Sequence, residues 1–366
     1  MFSKNHFINV TSLLAILCAC LLLLNSNSNI SFFFSLIFLA AAFSFLLFLD
    51  KFIFNKPRSV NSKLKIILIV SLFFITTILL YIVPQNQSEL FLNALSNWLS
   101  DFFRGSYPYQ PVKGFTGLPF LYFSGLPFYL TGQTILISAF GVGAILFIIY
   151  KSSKFNNEFF VRLFFISILI FLCLILNINL NPFFITAFPL LLIYLIENEY
   201  LSILTNYSIA VLAMVTGLFL SVHLISSAII IFYLFYFLRD DFKIMLKVFS
   251  ISIFVFILTL LPFAIWHWEI FLEYNPIFLQ FDYLNISILL VSILIVFALF
   301  AGWMISDLQE FYFTLGMFLL CNAAYNFFDA SIADSHTTSI FLYSALFLIL
   351  SLKHYKVDRF LGKVLR

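Results

Sequence analysis

Apolar runs about as long as a bilayer is thick recur along the whole of this chain. A hydrocarbon core of ~30 Å is crossed by about 20 apolar residues in a helix. Runs of that kind stand at 7–24, 31–50, 64–84, 131–150, 159–176, 182–196, 204–219, 220–238, 244–265, 286–303, 309–327 and 337–352. Composition agrees, with 63% of the 366 residues hydrophobic and 10% charged, where a soluble domain has roughly 45–50% and 25%. Such a surplus of apolar surface must face lipid, which excludes a soluble enzyme, a disordered chain, a coiled coil and a secreted disulfide scaffold. A β-barrel is excluded as well, because the apolar residues come in unbroken runs rather than alternating with polar ones. The expected fold is all-α, a polytopic integral membrane protein of about twelve transmembrane helices forming a single domain over residues 1–366.

Charge sets the expected orientation. With the N-terminus in the cytoplasm and the spans alternating, 17 of the 19 basic residues fall on the cytoplasmic side, leaving Arg104 and Lys113 outside. Positive charge resists translocation, so both termini are expected in the cytoplasm and the protein in the cell membrane as a multi-pass chain. The acidic residues Glu89, Asp101, Glu269, Glu273, Asp282, Asp329 and Asp334 then lie outside. Cys18, Cys20, Cys173 and Cys321 sit inside apolar runs without metal-ligand spacing and read as buried thiols. Leu17-Cys18-Ala19-Cys20 approximates a lipoprotein cleavage box, but Leu21 to Leu24 carry the apolar run past it, so an uncleaved anchor helix is expected.

The spans are nearly free of ionisable groups, which argues against an ion-coupled carrier. His223 is the one clear candidate there, just past the division of 204–238 at 219/220, near which Gly217 lies. Polar chemistry gathers instead in the loops. Over 85–130, Leu90, Phe91, Ala94, Leu95, Trp98, Leu99, Phe102 and Phe103 recur at helical spacing. Asn93, Asn97, Asp101 and Arg104 form a row opposite them. This pattern predicts an amphipathic helix lying in the outer interface with Trp98 and Phe102 toward lipid, its polar row either a site or a solvated face. Gly105-Ser106-Tyr107-Pro108-Tyr109-Gln110-Pro111 follows as an extended turn in which proline denies helix. The echo of Gly117-Leu118-Pro119-Phe120 in Gly125-Leu126-Pro127-Phe128 predicts a re-entrant or broken helix before the next span. Between 262 and 276, Trp266 and Trp268 read as interface anchors, while His267, Glu269 and Glu273 are candidates for a sugar or metal site. Asp329, Asp334 and His336 have residue types that ligate a divalent ion, but their spacing reads more simply as a polar turn.

In their order these segments resemble the GT-C class of membrane glycosyltransferases. They look most like its bacterial and archaeal polyprenyl-phosphate-dependent, mannosyltransferase-like members of the glycosyltransferase-family-87 type. An external helix carrying an acidic residue and leading into a Gly-x-x-Pro-Tyr segment is similar to Asp101 followed by Gly105 to Tyr109. Leu118-Pro119 through Leu130 resembles the proline-bearing apolar stretch of that group, and Asn181-Pro182 its Asn-Pro helix start. Gly217 through His223 resembles a Gly-containing helix that commonly has Lys where this chain has His223. Pro262-Phe263 through Asn275-Pro276 resembles a Pro-Phe…Asn-Pro external loop. Spans 7–24 and 31–50 form an N-terminal helix pair additional to the group's usual start.

The resemblance implies a transferase of the cell envelope. Its donor would be a polyprenyl-phosphate-linked sugar, and its acceptor a glycan, lipid or protein at the outer face, with no nucleic-acid partner. It implies Asp101 as the general base that takes a proton from the acceptor hydroxyl. Arg104, Lys113 and His336 would then be donors for the leaving phosphate. Asn97, Tyr107, Tyr109, His223, His267 and Glu269 complete the candidate substrate-binding residues. The chain has no external Asp-x-Asp, so a divalent ion is not favoured and no cofactor is expected. The alternatives are a polymerase or ligase of lipid-linked glycans, for which a large late loop is usual, and a transporter or non-catalytic membrane subunit.

Overall fold

The computed structural model describes residues 11, 15–16, 62–82, 88–109, 117–153, 156–176, 178–201, 203, 205–283, 296, 300, 302–330 and 335–352. Every regular element among them is a helix, and none is a strand. In chain order they are α1 (Ser62–Ile82), α2 (Ser88–Arg104), α3 (Pro119–Leu130), α4 (Leu136–Ser152), α5 (Asn156–Ile175) and α6 (Asn181–Glu197). Then come α7 (Asn206–Leu220), α8 (Leu224–Leu238), α9 (Phe242–Trp266), α10 (Trp268–Glu273), α11 (Pro276–Tyr283), α12 (Leu308–Ala330) and α13 (Ser335–Ser351).

Three stretches are long and apolar enough to cross a membrane: Ser62–Ile82, Glu158–Ile175 and Phe242–Trp266. Among the described residues, α4, α6, α7, α8 and the stretch Ser339–Ser351 of α13 are equally apolar but shorter, at 10–17 residues. The runs expected at 7–24, 31–50 and 286–303 lie almost wholly outside the described residues. On α1, Ile67, Phe74 and Ile78 are each more than half exposed, and on α9 so are Leu246, Phe254 and Ile265. Apolar side chains arrayed along a helix and left uncovered by protein are what a membrane protein presents to lipid.

The chain divides into two compact units, Met1–Thr76 with Ile149–Ile178 and Ser306–Arg366, and Thr77–Ile148 with Asn179–Ile305. In the first, α12 and α13 lie along one another. A Cβ at Gly316 would stand 2.7 Å from Leu348 Cγ, and Ser344 Oγ donates to the Gly316 carbonyl at 2.8 Å. Residues 340–352 are buried at every position, as expected of a helix that is apolar all round. Beside it, Arg162 of α5 is 4% exposed. It pairs with Glu158 one turn earlier at 2.7 Å and donates to the carbonyls of Leu352 and Leu350 at 2.9 and 2.6 Å. Its third nitrogen reaches Ser152 Oγ at 3.2 Å. A cation satisfying the orphan carbonyls at a helix C-terminus is favourable on both hydrogen-bond and dipole grounds.

In the second unit, α7 and α9 approach through Gly217. A side-chain carbon there would stand 2.6 Å from the Ser252 carbonyl oxygen and 2.6 Å from Val255 Cβ, so only glycine permits this spacing. Ser252 Oγ donates to the Ala213 carbonyl at 3.0 Å across the same contact. The expected division of 204–238, at 219/220 near Gly217, falls at Ser221-Val222-His223, and Gly217 itself is a packing position inside α7. Asn181-Pro182 opens a helix as expected, with proline in the first turn, where its missing N–H costs nothing. Asn179 Oδ1 accepts from the Asn181 amide at 2.8 Å.

Candidate functional site

The site grows from the end of α2. Gly105 takes φ +73°, its N–H donates to the Phe102 carbonyl at 3.2 Å, and the Ser106 N–H donates to the Asp101 carbonyl at 2.9 Å. This is the Schellman arrangement, in which a residue in the left-handed region, usually glycine, ends the helix and reverses the chain. Residues 105–109 are non-helical, in keeping with Pro108, and Tyr107 and Tyr109 fold back into the protein at 6% and 4% exposure.

Tyr107 packs on Tyr109 at 6.3 Å between ring centroids, and Tyr109 in turn packs on Trp98, which is 3% exposed. Its indole stacks on Tyr122 of α3 at 4.5 Å between ring centroids and on Phe102 at 5.6 Å. Tyr109, Phe123 and Phe263 meet it at 5.7, 5.4 and 5.5 Å. The apolar face of α2 is therefore covered by α3 and α9, with Phe91, Leu95 and Leu99 fully buried. This corrects the expectation that Trp98 faces lipid, whereas Phe102 is half-buried. The periodicity shows that α2 has an apolar stripe but not what covers it. Asn93, Asn97 and Arg104 are exposed, whereas Asp101, at the margin of the stripe, is partly buried.

Beside this cluster runs an apolar groove of about 330 Å³. Its walls are Phe102 of α2, Pro119, Phe120 and Phe123 of α3, Leu218 of α7, and Leu258, Thr259, Pro262 and Phe263 of α9. Thr259 supplies the one hydroxyl, and that group is engaged with Ser221 Oγ and the Phe256 carbonyl, both at 2.7 Å. What the groove offers a ligand is hydrocarbon.

The break between α7 and α8 holds the groove's near wall in place. The Val222 and Ser221 carbonyls accept from the Leu118 and Phe120 amides at 3.1 and 2.9 Å, so the end of α7 satisfies the start of α3. His223, 2% exposed, is the N-cap of α8, its Nδ1 accepting from the Ile225 amide at 3.3 Å. The Leu224 amide donates to Gln280 Oε1 at 2.8 Å. His223 thus has a capping role that explains its position without a substrate.

His267 stands at the bend between α9 and α10, exposed, with its ring 5.9 Å from that of Tyr107. Trp266 meets the same tyrosine at 5.9 Å. Glu269 is exposed on α10. Lys113 lies outside the described residues. Asp329 and His336 fall in α12 and α13, but their side chains, like Asp334 altogether, lie outside the described residues. Among the described residues, no three His, Cys, Asp or Glu side chains gather as a metal site would require.

The site's electrostatics are those of neutral phenols. Burial pushes the Tyr107 hydroxyl up to about 12. Burial does the same to Tyr109, raising it well above its ordinary value, helped by Tyr122 and Tyr107 and opposed by the nearby Trp98 N–H. Tyr122 is raised by burial too, and its hydroxyl accepts from the Gly117 amide at 2.8 Å. At neutral pH all three stay protonated and able to donate.

The structure brings Tyr107 against both Tyr109 and His267 from the candidates and leaves Asp101 and Arg104 on α2, the first partly buried and the second exposed. Sequence reasoning missed Trp98, Tyr122, Phe123, Phe263 and Thr259 as site residues. The Gly-Leu-Pro-Phe echo and Pro262-Phe263 are the signals that lead to them. Comparison with protein-family models, curated proteins and solved structures finds no match.

Proposed function

We propose that this chain is a membrane-embedded glycosyltransferase that moves a sugar from a polyprenyl-phosphate donor to an acceptor hydroxyl at the outer face of the cell membrane. The observation that carries the reading is the hydrocarbon-lined groove between α2, α3, α7 and α9, bordered by the helix that holds a partly buried carboxylate. An apolar cavity with a few polar groups converging at one end is how amphiphilic ligands are held. In this reading an isoprenoid tail enters the groove from the bilayer. Asp101 removes the proton from the acceptor hydroxyl as that oxygen attacks the anomeric carbon and the C–O bond to phosphate breaks. Arg104 meets the charge that grows on the departing phosphate.

About twelve spans, cytoplasmic termini and an external α2 belong to the same proposal. Single cysteines placed at Asn61 and Ser106 in a chain whose native cysteines are replaced test the orientation. A membrane-impermeant maleimide applied to intact cells labels position 106 and spares position 61, and the reverse pattern overturns the topology. The activity test incubates membranes containing the protein with radiolabelled polyprenyl-phosphate hexoses and follows label into lipid, glycan and protein fractions. Protein-dependent transfer is expected. Failure of every donor across all three fractions, with folded protein present, overturns the reading.

A further inference from the structure

Among the described residues, the buried atoms Trp98 Nε1, Tyr107 Oη and Tyr109 Oη have no hydrogen-bond partner. They belong to one cluster, with ring centroids 5.7 Å apart for Trp98 and Tyr109 and 6.3 Å for the two tyrosines. Trp98 N–H lies near enough to Tyr109 to oppose the rise in its hydroxyl's pKa, yet the pair makes no well-aligned bond. Buried hydroxyls and indole N–H groups are almost always satisfied in proteins, and an unsatisfied one is costly. Three in one cluster call for an explanation.

Their location supplies one. Phe123 and Phe263 line the apolar groove and also pack on the cluster, Phe123 against Trp98 at 5.4 Å and Phe263 against Tyr109 at 5.3 Å. The rings of Trp98 and Tyr109 therefore lie one aromatic ring away from the groove, and Tyr107 packs on Tyr109 behind them. The non-helical segment from Gly105 to Tyr109 carries the two tyrosines, and it begins at a residue with positive φ. None of the three residues is charged, and each can donate a hydrogen bond. That set suits a polyhydroxylated ring better than a phosphate, whose recognition calls for cations or clustered backbone amides.

We infer that Trp98, Tyr107 and Tyr109 form the subsite that recognises the hydroxyls of the donor's sugar, beside the groove that takes its tail. The inference rests on the polyprenyl-phosphate reading and adds the residues that select the sugar. The segment holding the tyrosines swings away to admit the ring and closes on it. Sugar hydroxyls then replace the partners these atoms lack.

The test compares wild type with Tyr107→Phe, Tyr109→Phe and the double variant, each as the full chain in nanodiscs. The probes are citronellyl phosphate and citronellyl phosphate carrying glucose, galactose or mannose. Loss of each hydroxyl should weaken the preferred sugar-bearing probe by about tenfold and leave citronellyl phosphate unchanged. Without ligand the variants should melt at the same temperature as wild type or higher, because the phenylalanines remove unmatched polar atoms. Equal affinity of variant and wild type for every probe overturns the subsite alone. So does a lower melting temperature with affinities intact, which would show the hydroxyls bonded to structural water. Should wild type bind none of the probes, the donor reading fails and the subsite falls with it.

Discussion

On the proposed mechanism, replacing Asp101 with Asn should lower sugar transfer by about 10²-fold or more while the protein still folds. Asparagine keeps the size of the side chain and removes its ability to accept a proton. Nothing else need change, because the structural bond at this residue uses its backbone carbonyl, which accepts from Ser106 N–H. Among the described residues the Asp101 carboxylate has no ion pair or hydrogen bond, and it borders the buried stripe of α2 rather than the exposed row of Asn93 and Asn97. Arg104 is exposed one turn further on. Arg104→Ala should raise the KM for donor more than it lowers kcat, because its proposed partner is the phosphate. Both variants are to be assayed in membranes against labelled donor, with expression and melting temperature measured alongside. Near-normal turnover by a folded Asp101→Asn protein would remove Asp101 from the chemistry and turn attention to Glu269, Glu273 and Asp329.

The largest effect on stability is expected at Arg162. Arg162→Ala leaves Glu158 buried without its partner and strips hydrogen bonds from two carbonyls at the end of α13. Breaking one side of a buried ion pair costs about 3–5 kcal/mol. Much of that cost comes from the charge left behind. Arg162→Met combined with Glu158→Gln should therefore be less damaging than Arg162→Ala alone. Reversible unfolding of the purified protein in mixed micelles measures the difference. A loss below about 1 kcal/mol for Arg162→Ala would mean that water or lipid headgroups replace what the guanidinium provides.

Arg162 also marks where reading the sequence stops being sufficient. In the sequence it is one of many positive charges consistent with a cytoplasmic loop. Its structural role depends on backbone groups 188 and 190 residues away, and no local pattern encodes such a contact. Local rules succeed where the cause is local. The amphipathic spacing of 90–103 marks α2, the prolines of 105–111 keep Tyr107 to Tyr109 out of helix, and Asn181-Pro182 opens α6. They fail where a partner decides the outcome. Trp98 has the position of a lipid-facing residue on a helical wheel, yet α3 and α9 enclose it. Gly217 reads in the sequence only as a residue near the break in 204–238, but serves as the contact point between α7 and α9. The candidate site follows the same division. Asp101, Tyr107 and Tyr109 could be singled out from the chain, but the groove needs four helices to exist and is invisible before they assemble.

That long-range bond has a consequence for biogenesis. Membrane proteins emerge from the ribosome in sequence order. Unit 2 has all its parts once residue 305 has been made, while unit 1 draws on Ile149–Ile178 and Ser306–Arg366. During the interval Glu158 and Arg162 are both present in the chain, but the carbonyls of Leu350 and Leu352 have not been synthesised. The guanidinium must keep its remaining donors occupied with water, headgroups or the translocation machinery until α13 arrives. Docking of α13 is then driven by a specific polar bond as well as by apolar packing, so a half-made unit carries a chemical mark that distinguishes it from a finished one.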